Sequence, residues 1–132
     1  MLGPDHPDTF QVMVNLVMAY RQAGKKKEAV TLAEETVQLM KAALGPDHPQ
    51  TLTAINNLAL TYADARKMDK SLELLKETLK LTQAKLGIDH LDTQKCMQNL
   101  AMAHRDAGEF DKALPLFEKS YKQLHASQGI GH

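Results

Sequence analysis

The sequence predicts an all-α chain of three stacked antiparallel helix pairs, and three observations carry that prediction. One stretch is written three times, as LGPDHPDT at residues 2–9, LGPDHPQT at 44–51 and LGIDHLDT at 86–93, at a constant offset of 42 residues. Two segments follow each copy in which apolar residues return at three- and four-residue steps, as they do on one face of a helix. The first helix of each pair carries two apolar stripes, so it has neighbours on more than one side. A fixed period of this size marks a stacked repeat architecture, here an α-solenoid. The predicted repeats span 2–43, 44–85 and 86–127, forming one domain over 1–126 with a frayed tail at 127–132.

The bulk composition narrows the function. With 132 residues the chain has one domain's worth of core. Acidic and basic residues balance at 16 each, so no long-range field draws in nucleic acid or an anionic membrane, and an RNA-reading helical repeat is disfavoured. Apolar runs are too short for a membrane span and the start lacks a signal-peptide core, which predicts a cytoplasmic protein. The single cysteine, Cys96, excludes an internal disulfide and suits a reducing compartment.

Taken in order, the repeated stretch is a stop followed by a start. Gly3, Gly45 and Gly87 are predicted to end a helix in the left-handed conformation. Pro7 and Pro49 suit the first position of the next helix, and Asp8 and Asp92 meet the positive end of its dipole. Ile88 and Leu91 replace proline in the third copy, which predicts a less rigid turn. Helix A of repeat one is expected over residues 8–23, with Phe10, Met13, Leu16, Val17 and Tyr20 on its buried face and Val14 and Met18 beside them. Leu52, Ile55, Leu58, Ala59 and Tyr62 take that face in repeat two, and Met97, Leu100, Ala101 and His104 in repeat three. Gly24 and Gly108 should end helix A, while Arg66 holds the equivalent place and would be strained there by about 1 kcal/mol. Helix B buries Ala29, Leu32, Ala33, Val37 and Met40, then Leu74, Leu75 and Leu79, then Ala113, Leu116, Phe117, Tyr121 and Leu124. Pro115 falls early in the last helix, where it should perturb little.

Paired helices with a small residue in helix B (Ala29, Ser71, Ala113) and leucine with tyrosine in helix A (Leu16 with Tyr20, Leu58 with Tyr62) resemble the tetratricopeptide repeat, whose usual unit is about 34 residues. The longer unit, the LGPDHP linker and the Asn-Leu-Ala core at 57–59 and 99–101 are similar to the kinesin-light-chain-like type. Val17 in place of alanine and His104 in place of tyrosine depart from that pattern. The resemblance implies a right-handed superhelix and a non-catalytic adaptor, without cofactor or metal, whose A helices line a concave groove for a peptide. By position the groove takes Gln11, Val14, Asn15, Met18 and Arg21 from repeat one, and Thr53, Asn56, Asn57, Leu60 and Asp64 from repeat two. Repeat three adds Lys95, Gln98, Asn99, Met102 and Arg105. Of the positions that form a two-carboxylate clamp in co-chaperone relatives (Val14, Met18, Asn57, Lys95 and Asn99), only Asn57 and Lys95 match, so that specialisation is not expected. Met18, Leu60 and Met102 beside Arg21, Lys95 and Arg105 suit a partner segment with an apolar or aromatic anchor and acidic flanks.

Asn15, Asn57 and Asn99 recur at one position of helix A although asparagine is a poor helix former. They form either a ladder of amides for a ligand backbone or tethers for the adjacent linkers. His6, His48 and His90 read as helix-start caps, because each linker offers only one imidazole and metal sites need several ligands. Cys96 and His104 are eight residues apart on one helix, about 12 Å along its axis, too far for a nucleophile and its base. Cys96 therefore reads as a small core residue, and Lys25, Lys26 and Lys27 as a solvated turn. At the ends, Phe10 and Val12 are expected to face a preceding repeat, while Tyr121 and Leu124 have no following helix. This predicts association of copies end to end, or an excerpt of a longer array.

Overall fold

A computed structural model describes residues 7–128, and the linker residues Gly3, Asp5 and His6 and the tail at 129–132 lie outside them. Within them run α1 (Pro7–Gln22), α2 (Lys26–Leu44), α3 (Pro49–Asp64), α4 (Met68–Leu86), α5 (Leu91–Asp106) and α6 (Phe110–Gln128). Pro7, Pro49 and Leu91 open the first helix of each pair, and Lys26, Met68 and Phe110 the second, each series stepping by the 42-residue period of the repeat. α6 continues two residues into the segment expected as a tail.

The two linkers within the described residues, at 44–51 and 86–93, each stop one helix and cap the next through atoms their sequence supplies. The Gly45 N–H donates to the Lys41 carbonyl at 3.1 Å. Gly45 takes φ 100° and ψ 153°, an extended, glycine-only conformation rather than the left-handed helical one expected. Pro46 favours this, since a residue before proline is kept out of helical ψ, although Gly87 takes a φ of 90° before Ile88 with the same backbone bonds. His48 then serves as N-cap: its Nδ1 accepts the Gln50 N–H at 3.1 Å, with Pro49 in the first turn. His90 Nδ1 accepts the Asp92 N–H at 3.0 Å in the same way. The imidazoles thus satisfy helix-start donors, as the sequence predicts. The third linker, without its prolines, keeps the same backbone bonds, and the Gln94 amide Nε2–H donates to the Ile88 carbonyl inside it.

The turn inside each pair is a Schellman motif at all three places. Lys25, Lys67 and Glu109 donate their N–H groups to the carbonyls of Tyr20, Tyr62 and His104, and Gly24, Arg66 and Gly108 donate to Arg21, Ala63 and Arg105. The geometry needs positive φ, observed at 76° for Gly24, 79° for Gly108 and 65° for Arg66. Arg66 is exposed, and no hydrogen bond or ion pair holds its side chain among the described residues. Arg66→Gly should therefore raise stability by up to about 1 kcal/mol, reduced by the greater unfolded-state freedom of glycine. Chemical denaturation checks this, and a loss on substitution would contradict the strain.

Contacts group the chain into two compact units, residues 1–71 and 72–132, with the boundary inside α4. Repeats touch mainly their neighbours, so no single core need span such a chain. In the first unit α1 and α3 both pack on α2, around the buried Phe10, Val17, Val30, Met40, Ile55 and Leu58. Ser71, at the small-residue position of helix B, donates its hydroxyl to the Ala59 carbonyl at 2.8 Å. The α2–α3 junction is pinned twice: Thr51 Oγ1 donates to the Met40 carbonyl at 3.4 Å, and the Tyr62 hydroxyl donates to Glu34 Oε2 at 2.6 Å. Lys70 lies 5.7 Å from the centre of the same ring. Burial, then the Glu34 hydrogen bond and charge, push the Tyr62 phenol up to about 12.

In the second unit α5 packs on α6. Gln94 occupies the core position held by Phe10 and Leu52 elsewhere, and the Ser120 hydroxyl donates to its Oε1 at 2.9 Å. Cys96 is a buried core thiol, as expected, 3.7 Å from Thr82 Oγ1. Burial pushes that thiol up and Asp92 adds to the shift against the opposing Thr82 hydrogen bond, so the thiol is held away from the reactive thiolate. His104 departs from tyrosine in a coupled way. Where repeat two has Glu34 on the preceding helix and Lys67 in the turn, repeat three has Lys76 and Glu109. With a lysine where the acceptor stood, His104 Nδ1–H donates instead to Glu109 Oε1 at 3.0 Å, in its own turn. That bond, then Lys112 at 3.2 Å, holds the Glu109 carboxyl below its usual range.

Three burial expectations need correction. Leu16 and Tyr121 are exposed, because no described helix covers those stripes of α1 and α6. Phe10, expected to face a preceding repeat, is buried within the first unit.

Candidate functional site

In the first unit the open faces of α1 and α3 meet over α2. Val14, Val17 and Met18 from α1, Ala33 and Thr36 from α2, and Ala54 and Asn57 from α3 line a narrow cleft with a cavity volume of about 10 Å³. The floor is apolar in effect, since the Thr36 hydroxyl is spent on the Leu32 carbonyl at 2.7 Å. Asn57 is the lining residue whose polar side chain is left free: half-buried, it bonds to nothing among the described residues. The cleft joins an apolar seat to one unused amide.

The remaining first-unit candidates are partly committed. Arg21 Nε donates to Asp64 Oδ2 at 2.6 Å, tying the last turn of α1 to the last turn of α3, and Arg21 also lies 3.9 Å from Met18 Sδ. Two residues that the sequence offers as separate ligand contacts are thus one ion pair. Gln11 Nε2 donates to Asn15 Oδ1 at 3.0 Å, one helical turn apart. Thr53 bonds back to the Pro49 carbonyl at 3.0 Å. Leu60 is half-buried, and Asn56 Oδ1 is buried without a partner among the described residues.

In the second unit Lys95 and Met102 are exposed on α5 and Asn99 is half-buried, its amide unbonded among the described residues. Gln98 donates to Ser120 Oγ at 3.3 Å and so belongs to the α5–α6 contact. Arg105 sits 6.0 Å from the Phe117 ring centre and 3.6 Å from Asp106. In the third repeat the linker tether is made by Gln94, not by an asparagine. The signal for it was a polar residue at a position the other repeats fill with phenylalanine and leucine. Among the described residues no three His, Cys, Asp or Glu side chains gather as a metal site, and no helix is long and apolar enough to cross a membrane.

These elements define a helical-repeat module of the all-α solenoid class, whose established use is interaction with other proteins. The tetratricopeptide repeat model matches residues 27–84 and 53–124, and the chain belongs to that family, in its kinesin-light-chain-like form. The solved structures agree. One, a Podosopora anserina kinesin light chain-like protein with nearly identical TPR-like repeats, is 26% identical with a TM-score of 0.86 over 96% of this chain. BtubC (BKLC) from P. vanneervenii, 20% identical with a TM-score of 0.83 over 97% of the chain, shares the fold. This chain spans 60% of the first protein's length and 51% of the second's. No curated protein matches it.

Proposed function

We propose that the chain is a non-catalytic adaptor that holds a linear segment of a partner protein along the open faces of its A helices. The observation that carries this reading is the α1–α3 cleft, an apolar seat beside the unspent amide of Asn57. An apolar group of the ligand packs against the mouth of the seat while Asn57 hydrogen-bonds the ligand backbone. Met18 lines the approach with an adaptable side chain. Acidic flanks find Lys95 without a partner among the described residues, whereas Arg21 and Arg105 already have Asp64 and Asp106. The preference for acidic flanks is accordingly weaker than the sequence alone implies.

A peptide array on the purified chain identifies the ligand, and Asn57→Ala then tests the site. Affinity should fall several-fold, about 1 kcal/mol for the lost hydrogen bond. Stability should hold or rise, since alanine is the better helix former and no scaffold bond is removed. Unchanged affinity with lowered stability would retire the amide ladder. A structural role, with copies associating end to end, is favoured by a separate observation: the apolar side chains left open on α1 and α6. The two readings are compatible.

A further inference from the structure

The α2–α3 junction shows what covers a helix B face in this protein. Thr51 and Tyr62 both bond to α2, and Ile55 and Leu58 fall on the same stripe of α3 by helical spacing. On α1 the same positions are Thr9, Met13, Leu16 and Tyr20. Leu58 is 6% exposed but Leu16 is 42% exposed. The receiving face behaves alike. Val30 and Val37 of α2 are 6% and 3% exposed, while Leu114 and Tyr121, at their positions on α6, are 60% and 67% exposed. Scattered exposed leucines mean little, but these lie on two stripes that match the two sides of a junction the fold already makes.

The polar groups match as well. α6 carries Glu118 at the place of Glu34, and α1 carries Tyr20 at the place of Tyr62, followed by Lys25 at the place of Lys67. The α4–α5 junction, with Lys76 and His104, lacks this arrangement. The two open faces therefore keep the acceptor and donor of the α2–α3 junction.

We propose that copies of this chain join head to tail, the α6 face of one receiving the α1 face of the next, with Tyr20 donating to Glu118 across the contact. This rests on the end-to-end reading and gives it a polarity. Such an interface is heterologous, each copy keeping one free face for further growth unless the rotation closes a ring.

Sedimentation velocity on the whole chain, from micromolar to millimolar concentration, should show association that grows with concentration. Leu16→Glu and Leu114→Glu each place a charge on one face at an exposed site, so both should keep wild-type helicity and melting. Each alone should be monomeric. Their equimolar mixture should form a one-to-one dimer, because each supplies the face the other lacks. Glu118→Lys, also at an exposed site, should weaken wild-type association several-fold. A wild-type chain monomeric throughout overturns the end-to-end reading itself, as it would if these faces served a helix of another protein. Association that survives in either single glutamate variant, or a mixture that stays monomeric, overturns the α6-to-α1 pairing while leaving self-association standing.

Discussion

Leu75→Ala is expected to lower stability by about 2–5 kcal/mol. Leu75 is fully buried, among the largest side chains with no exposed surface. Removing most of it forfeits the transfer free energy of the deleted atoms and, with it, the dispersion attraction of the neighbours that would now line a cavity. A chain of this size is stable by roughly 5–15 kcal/mol, so the variant would lose a large share of that margin. The same truncation at the exposed Leu16 should cost about 0.5 kcal/mol or less. Urea unfolding of the two variants checks the contrast. A loss below about 1 kcal/mol at Leu75 would show that its surroundings collapse onto the space.

Tyr62→Phe is expected to cost about 1.5 kcal/mol at neutral pH, the low end for a hydrogen bond to a charged group, because Glu34 is half-buried and can be rehydrated. The pH dependence is the sharper test. Tyr62 is raised from 10.0 to about 12 in the folded protein, so folded chains hold this proton where unfolded chains release it. Its stabilising contribution is full below pH 10.0 and is lost as pH rises toward about 12. Lysines also titrate there, but the difference between wild type and Tyr62→Phe isolates the phenol. Denaturation at several alkaline pH values should show the gap between the two closing. A gap constant through that window would mean the carboxylate does not hold the proton.

The helices are legible in the sequence because their signals are local. A linker histidine caps its helix through atoms two residues apart, and the Schellman turns need only a residue that tolerates positive φ. What escapes the sequence depends on separated residues. An apolar stripe shows which face seeks cover but not whether a helix stands there, so Leu16 and Tyr121 look buried from the pattern alone. Arg21 and Asp64 are 43 residues apart and look like separate ligand contacts until α1 and α3 come side by side. The cleft beside Asn57 is half visible: its asparagine and methionine stand out by their recurrence, but Thr36 and Ala33, which make its floor, lie on a helix that the resemblance puts on the far side of the groove. Gln94 stands out only as a polar residue where the other repeats have phenylalanine and leucine, and its partners, the Ile88 carbonyl and Ser120, are set by the turn and by α6.

The exchange of Glu34 and Lys67 for Lys76 and Glu109 around Tyr62 and His104 gives the repeats an order. Units related by duplication can in principle be deleted or shuffled by recombination without breaking the helical phase, since every boundary falls at the same place in the period. Loss of the middle unit would set α5 after α2, bringing His104 against Glu34 while Glu109 waits in the turn, two carboxylates for one imidazole. Moving the last unit's helix pair to the front would set Tyr20 behind Glu118 and His104 behind nothing. The chain therefore carries, in three residues per junction, a chemical record of its order: moving the last unit forward keeps a tyrosine against a glutamate, whereas losing the middle unit leaves a mismatch that the shared helical phase would not reveal.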